Sequence, residues 1–325
     1  MPYTSLSAPR CLRLLMLFLA SVVFSIGSVN AAHQEISTSF EPSRFVIGVI
    51  SSNPKKAVKR TAPLARYLAK HLSEHGITSS QVVVARDTRQ MSRWLKQGRV
   101  DMVSESVFPA TALVQRANAE IIAKRWKSGV SQYATVFFAK KSSDISSFDG
   151  LLGKTVVFED RESSSAFYIP AAILIEQGYP LYELASPREK PPQGQVGYLF
   201  ADELTKAGGE INMYSWVYND IVAAAAFSNV DWNSEIPSAM KEKMNIFYQS
   251  QFVPRSLELV RPGMDPKLKT HLQTLLYAMH LNDEGREVLQ KYKKTKKFEA
   301  IDASTSKGIE WVKQLKPTVD ELLVL

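Results

Sequence analysis

Phe158-Glu159-Asp160-Arg161-Glu162-Ser163-Ser164-Ser165-Ala166-Phe167-Tyr168-Ile169-Pro170 joins two different periodicities. The β-branched run before it, Thr155-Val156-Val157-Phe158, reads as a buried strand. The residues after it, Ile169, Ala172, Ile173 and Ile175, recur at helical spacing. A strand, a turn and a helix in that order form the building unit of an α/β fold. The turn also carries chemistry. A helix start leaves backbone N–H groups without acceptors, and Ser163, Ser164 and Ser165 add hydroxyl donors at the same point. One serine suffices for an N-cap, so three in a row exceed the structural need. Pro170 would kink a helix that began at Ser165. A turn-like nest over Ser163 to Ala166, with regular helix from near Tyr168, avoids that conflict and makes an oxyanion receptor without a formal positive charge.

The alternation continues in both directions. Toward the N-terminus, Phe45 to Ile50 reads as a strand, and Asn53-Pro54 opens a helix with the apolar face Val58, Ala62, Ala65, Leu68 and Leu72. Val82 to Ala85 is a second strand, followed by a short helix around Met91, Trp94 and Leu95. Val100 to Val103 is a third strand, leading to the polar turn Ser104-Glu105-Ser106. A helix from Pro109 to Ala117, a strand from Ile121 to Trp126 and a strand from Tyr133 to Ala139 follow. The last is long enough to cross between two lobes.

Toward the C-terminus, the serine-led helix ends at Gly178, and Pro187 to Gly197 reads as an exposed loop. Asp220 to Phe227 is predicted as an alanine-rich helix before a buried Val230-Asp231-Trp232. Phe247 to Leu259 crosses back. Two helices then close the chain, one on Leu268, Leu272, Leu275, Leu276 and Met279, the other starting at Asp283. Two crossings predict a two-lobed α/β architecture, with residues 32–135 and 255–325 in lobe 1 and 136–254 in lobe 2. A cleft between lobes is a common ligand site, and hinge closure around the ligand is its usual consequence.

Residues 1–31 read as a secretory signal: Arg10 and Arg13, then the apolar run Leu14 to Val23, then Val29-Asn30-Ala31 before a cleavage site. Its removal leaves 294 residues with 38 Lys+Arg against 32 Asp+Glu, a net charge of +6. Cys11 is the only cysteine and precedes the apolar run, so the mature chain is expected to carry no thiol, disulfide or cysteine-based metal site. The basic run Lys291-Tyr292-Lys293-Lys294-Thr295-Lys296-Lys297 is read as a solvated helix end rather than a membrane or nucleic-acid surface.

Further candidate site residues follow from position. Ser104 and Ser106 follow a strand end, where open α/β sheets place ligands. Tyr133, at the first crossing, fits a core aromatic and a cleft residue equally. Asn219 and Asp220 open the alanine-rich segment, as a helix cap or as ligand contacts. Catalysis is not expected. A nucleophilic serine needs an adjacent base, and none of His33, His71, His75, His271 and His280 falls in an expected cleft loop. A Gly-x-Ser-x-Gly elbow is also missing. His71 and His75 have metal-ligand spacing but lack the His-Glu-x-x-His pattern, and they read as exposed histidines near a helix end. Gly153-Lys154-Thr155 lacks the glycine a phosphate-binding loop requires. No cofactor, metal or nucleic-acid partner is expected.

Several stretches, read together, resemble the phosphate/phosphonate/phosphite group of periplasmic solute-binding proteins that feed ABC importers. Asp160-x-x-Ser163-Ser164-Ser165-Ala166-x-x-x-Pro170 is similar to that group's Asp-Pro-Asn-Ser-Thr-Ser-Gly motif. Gly98-Arg99-Val100-Asp101 with Arg116-Ala117-Asn118, the return crossing Phe247 to Pro254 and the helix Asp283 to Leu289 add to the likeness. It spans about residues 44 to 302. The resemblance implies a type II periplasmic binding fold with a hinge of two crossover strands. It also implies ligand oxygens held by Ser163, Ser164, Ser165 and Tyr133, a small anionic ligand such as phosphate, phosphite or a phosphonate, a periplasmic location and a monomeric state. The partner it implies is an inner-membrane ABC permease; a membrane sensor kinase is the alternative. Three departures stand out. Asn219 precedes Asp220 where the group often has a ligand-binding histidine. Ser104-Glu105-Ser106 replaces a glycine-containing turn and brings an acid near an anion site. The Pro187 to Gly197 loop looks like an insertion.

Overall fold

A computed structural model describes residues 43–205 and 209–323. The predicted signal segment 1–31, with Cys11, and His33 lie outside the described residues. No described helix is long and apolar enough to cross a membrane.

The first half is built from β1 (Arg44–Ile50), α1 (Pro54–His71), β2 (Ser79–Ala85), α2 (Thr88–Lys96), β3 (Met102–Glu105), α3 (Val107–Ala117) and β4 (Glu120–Arg125). β5 (Gln132–Tyr133) and β6 (Thr135–Lys140) carry the chain out of this layer. The second layer holds β7 (Thr155–Phe158), α4 (Ile169–Glu176), β8 (Leu181–Glu183), β9 (Val196–Phe200), α5 (Ala201–Leu204), α6 (Glu210–Tyr218), β10 (Ala224–Ser228), α7 (Asn229–Glu235), α8 (Ser238–Lys241) and β11 (Met244–Gln249). The chain returns through β12 (Val253–Pro254) to β13 (Leu257–Val260), α9 (Pro266–Ala278), α10 (Asp283–Lys291), β14 (Phe298–Glu299) and α11 (Ala303–Leu323).

Two six-stranded sheets result, ordered β14-β4-β13-β3-β1-β2 and β11-β6-β10-β7-β9-β8. In the first, β1 runs parallel to β2 and β3, while β13 enters antiparallel between β3 and β4. In the second, β10, β7, β9 and β8 are parallel, and β6 is antiparallel to β10 and β11. The crossing strands β5 and β12 pair with each other, Val253 against Tyr133, and form the hinge. The two sheets with this hinge make the two-lobed type II periplasmic binding fold. α11 packs against α3 of the first layer, α4 of the second and β12 between them.

Four segments depart from the sequence expectations. Ala224–Ser228 is a central strand, not a helix. Ala224 and Ala226 enter one core while Ala225 and Phe227 enter another, a period of two with both faces covered. Alanine's helix preference yields to this burial, and its small side chains leave room for Phe137 and Phe138 of the neighbouring β6. The predicted 187–197 loop ends early, because Val196 and Gly197 begin β9. A Cβ on Gly197 would lie 2.6 Å from Leu184 Cδ1, so the glycine lets Leu184 pack directly against the strand backbone, and a larger residue would require that side chain to move. On α1 the buried stripe is Ala57, Thr61, Leu64, Ala65 and Leu68, which leaves Val58 exposed. Finally, a third closing helix, α11, follows the two expected.

Candidate functional site

The serine turn forms one wall of an interlobe cleft of about 670 Å³. Asp160 organises the approach: its carboxylate accepts from Glu162 N–H at 2.7 Å, and its carbonyl accepts from Ser163 N–H. Ser163 caps the turn by accepting from Ala166 N–H at 3.2 Å. Ser164–Tyr168 is one wide π-helical turn, and α4 begins at Ile169 with Pro170 in its first turn, where proline costs no hydrogen bond. The N–H groups of Ser164 and Ser165 head this turn and have no acceptor within it. Ser165 is fixed from behind, since Thr135 on β6 donates its hydroxyl to the Ser165 carbonyl at 2.9 Å. The expected nest is therefore present. Its surroundings on this lobe are acidic: Glu159, Asp160, Glu210, Asp231 and Glu235 line the same space.

The facing wall is basic, contributed by Arg60, Lys127, Lys291, Lys293 and Lys294, with Arg255 at the hinge. Two left-handed turns build it. Ser128 and Gly129 follow β4, with φ of 55° and 81°, and Lys293 and Lys294 follow α10, with φ of 53° and 49°. Ser128 N–H donates to the Lys293 carbonyl at 3.2 Å, and Lys296 N–H to the Trp126 carbonyl at 3.0 Å, so the turns hold each other in place. Non-glycine residues rarely adopt this conformation, and here it brings Lys127 and Lys293 together. The basic run is thus not a solvated helix end throughout: Lys291, Lys293 and Lys294 face the cleft. The receptor also does not lack positive charge, as the serines alone led us to expect.

Charge crowding on each wall perturbs its ionisations. The positive charge of Lys293 drives the Lys127 ammonium well below its usual range, aided by burial and by Arg255 and Arg125. Burial, then Arg125, lowers Lys293 to about 8. On the other wall, burial followed by Asp160 and Glu210 raises Glu159 to about 8. Burial likewise raises Asp160 and Glu210. Among the described residues, no carboxylate lies within ion-pair distance of Lys127 or Lys293, whereas Arg255 reaches Asp231 at 3.5 Å and stacks its guanidinium 4.6 Å from the Tyr133 ring centre.

Residues 47–305 match the family model described as "ABC transporter, phosphonate, periplasmic substrate-binding protein". The chain belongs to this family. Membership assigns it a substrate-binding role in transport, with a small ligand and a membrane permease as partner. Among solved structures, XAC2383 from Xanthomonas citri is 29% identical. Its chloride-bound structure has a TM-score of 0.79 and covers 86% of this chain and 99% of that one. Its ATP-bound structure has a TM-score of 0.78 and covers 86% and 98%. PhnD1 from Prochlorococcus marinus in complex with methylphosphonate shares the fold at 13% identity, with a TM-score of 0.62 and coverage of 86% and 99%.

Against this family's pattern, the eight candidate residues separate into three groups. Ser163, Ser164, Ser165, Tyr133 and Ser106 all line the cleft. Within that set Ser164 is spent: its Oγ accepts from Phe108 N–H at 3.0 Å and donates to Ser106 at 2.9 Å, tying the lobes together. Ser104 donates to Glu258 at 2.6 Å and lines a smaller adjoining recess. Asn219 and Asp220 fall outside the cleft, a correction that follows from the helix-to-strand change. β10 runs parallel to β7, so its start lies at the end of the sheet opposite the serine turn. Asn219 caps α6, and exposed Asp220 pairs with Lys140 at 2.6 Å. The acid at the cleft comes instead from the far end of β10, where Asp231 sits in the first turn of α7. Glu105 accepts from Ile50 N–H at 3.4 Å and does not line the cleft; burial, opposed by Lys293, raises it to about 7. Sequence reasoning missed Arg60, Lys127, Arg255 and Glu210, which only tertiary folding brings together.

Proposed function

We propose that this chain captures a phosphate or phosphonate group carried on a polar organic body, and delivers it to an inner-membrane ABC permease. The observation that carries the reading is the pair Lys127 and Lys293. Lys127 is held at lowered basicity by the charge of Lys293 and by burial, and Lys293 by burial and Arg125; among the described residues neither has a carboxylate within ion-pair distance, and both face hydroxyl donors across the cleft. An anion placed between them relieves the crowding of positive charge on this wall and accepts charge-assisted hydrogen bonds. Ser165, Tyr133 and the free N–H groups at the head of the serine turn would set its geometry.

Two features favour a ligand larger than inorganic phosphate. The cleft continues past Arg60 and Lys293 into a recess of about 220 Å³ lined by Ser51, Asn53, Ser104 and Arg125. Across from the lysines, Asp231, Glu210 and Glu235 offer acceptors that suit hydroxyl or amino groups on the ligand body. The relative from X. citri, solved with ATP and with chloride, takes anions of very different size.

The test is a thermal-shift and calorimetric panel of inorganic phosphate, methylphosphonate, a sugar phosphate, ATP and a sulfonate. A ligand that prefers the folded protein raises its melting point. Phosphate esters should bind, and more tightly than inorganic phosphate. A panel in which no phosphorus compound shifts the melting point, or in which the sulfonate binds more tightly than every phosphorus compound, would overturn the proposal.

A further inference from the structure

Far from the cleft residues, on α9 and the turn that follows α1, three donor atoms converge. α1 stops at His71, and Ser73–His75 forms a separate 3₁₀ turn, so His71 and His75 do not share a helix face. They take different partners. His71 lies against Tyr67, with its Nε2 3.4 Å from Glu284. His75 instead turns toward His271, which is 196 residues away in sequence and in the middle of α9.

His75 Nε2 lies 3.0 Å from His271 Nδ1, His271 Nδ1 lies 2.9 Å from Glu74 Oε1, and His75 Nε2 lies 3.6 Å from the same oxygen. A tetrahedral ion with ligands at about 2.0–2.2 Å requires ligand–ligand edges of about 3.3–3.6 Å. The observed triangle brackets that value on its three sides. Two imidazoles and one carboxylate form a donor set that suits zinc, and three protein ligands leave the fourth position open. Both histidines are partly buried, while Glu74 is exposed and reaches in from solvent.

We propose that Glu74, His75 and His271 form a zinc-binding site on the surface of the first lobe. The ion would join the turn after α1 to the middle of α9, two elements whose Leu68, Leu72, Leu268 and Leu272 already share one core. It acts as a clamp on that lobe and takes no part in the cleft.

The experiment uses the untagged chain, stripped with EDTA and titrated with Zn²⁺ by calorimetry and thermal shift. One ion per chain should bind and raise the melting point by several degrees. His271→Ala and His75→Ala should each weaken zinc binding at least about tenfold, while His71→Ala should leave it unchanged. Thermal shifts by phosphate esters should be the same in His271→Ala as in the parent, which also shows that this variant folds. Unchanged zinc affinity in both His75→Ala and His271→Ala, or the absence of any zinc-dependent shift in the parent, would overturn the proposal. Neither result bears on the cleft, because the ligand panel reads that separately.

Discussion

The two walls of the cleft are built on opposite principles. On the second lobe, the serine turn is made of neutral dipoles whose positions are fixed by hydrogen bonds behind them, such as Thr135 donating to Ser165 and Glu162 N–H donating to Asp160. On the first, Lys127 and Lys293 are charges with no ion-pair partner among the described residues, held by two left-handed turns that lean on each other. A fixed array of dipoles defines where an oxyanion sits but contributes modestly to net affinity, because water offers the free ligand similar hydrogen bonds. Crowded cations store repulsion that only an anion relieves. Geometry should therefore come from the second lobe and binding strength from the first.

The sharpest way to break that division is to remove each wall in turn. Replacing Lys127 and Lys293 together by alanine deletes two charge-assisted interactions, each about 1.5–3 kcal/mol. Affinity for a bound phosphate ester should fall by about 100-fold or more, measured by calorimetry, and the dependence on salt should flatten. Ser165→Ala deletes one neutral donor and should cost about tenfold. A larger loss for the serine than for the lysine pair would invert the assignment of roles.

Within the serine wall, Ser164 and Ser165 should part company. Ser164 lies between the lobes, accepting from Phe108 N–H and donating to Ser106. Ser164→Ala leaves a buried N–H without an acceptor, a cost of about 1–3 kcal/mol in stability. It should lower the melting point more than Ser165→Ala does, yet weaken the ligand less. Equal effects on both readouts would mean that the two hydroxyls share one role.

The walls also make a joint prediction about pH. Lys293 at about 8 and Glu159 at about 8 both sit near neutrality for the same underlying reason, burial among like charges. A bound anion favours the protonated form of each, so the complex holds more protons than the free protein. Binding takes up protons, and affinity falls as pH rises through about 8, by up to about tenfold per pH unit for each proton acquired. The stability of the ligand-free chain moves in the same sense for Glu159. Its folded pKa is raised above the ordinary value of 4.5, so its contribution is fully present below that value and is lost as pH rises toward about 8. Glu159→Gln should remove that loss, leaving a melting point above the parent's at pH 9 and close to it near pH 4.5.

How much of this was legible in the sequence follows from how local each signal is. The serine turn and the delayed start of the regular helix near Tyr168 could be read because strand, hydroxyls and proline act within one short segment. The hinge at Tyr133 and the return near Val253 could be read because β-branched and aromatic runs outlast a single sheet crossing. The basic wall could not. Lys127 and Lys293 are far apart in the chain and meet only when the loop after β4 packs on the turn after α10. Ala224–Ser228 misled because its helix propensity is local, while the two-sided burial that overrides it is a property of the finished sheet.

That misreading has a consequence small enough to measure cleanly. With Asp220 in a helix start, it would point toward the ligand; at the head of a strand parallel to β7, it lies at the other end of the sheet, 69% exposed, paired with Lys140. Exposed ion pairs contribute little to stability, and surface substitutions away from a site usually stay within about 0.5 kcal/mol. Asp220→Asn and Asn219→Ala should therefore change ligand affinity by no more than about twofold. Asp231→Asn, at the opposite end of the same strand and beside Arg255, should change it several-fold. If Asp220 proved as sensitive as Asp231, the cleft would extend to both ends of the second sheet, and the contrast between its two walls would no longer describe the whole binding surface.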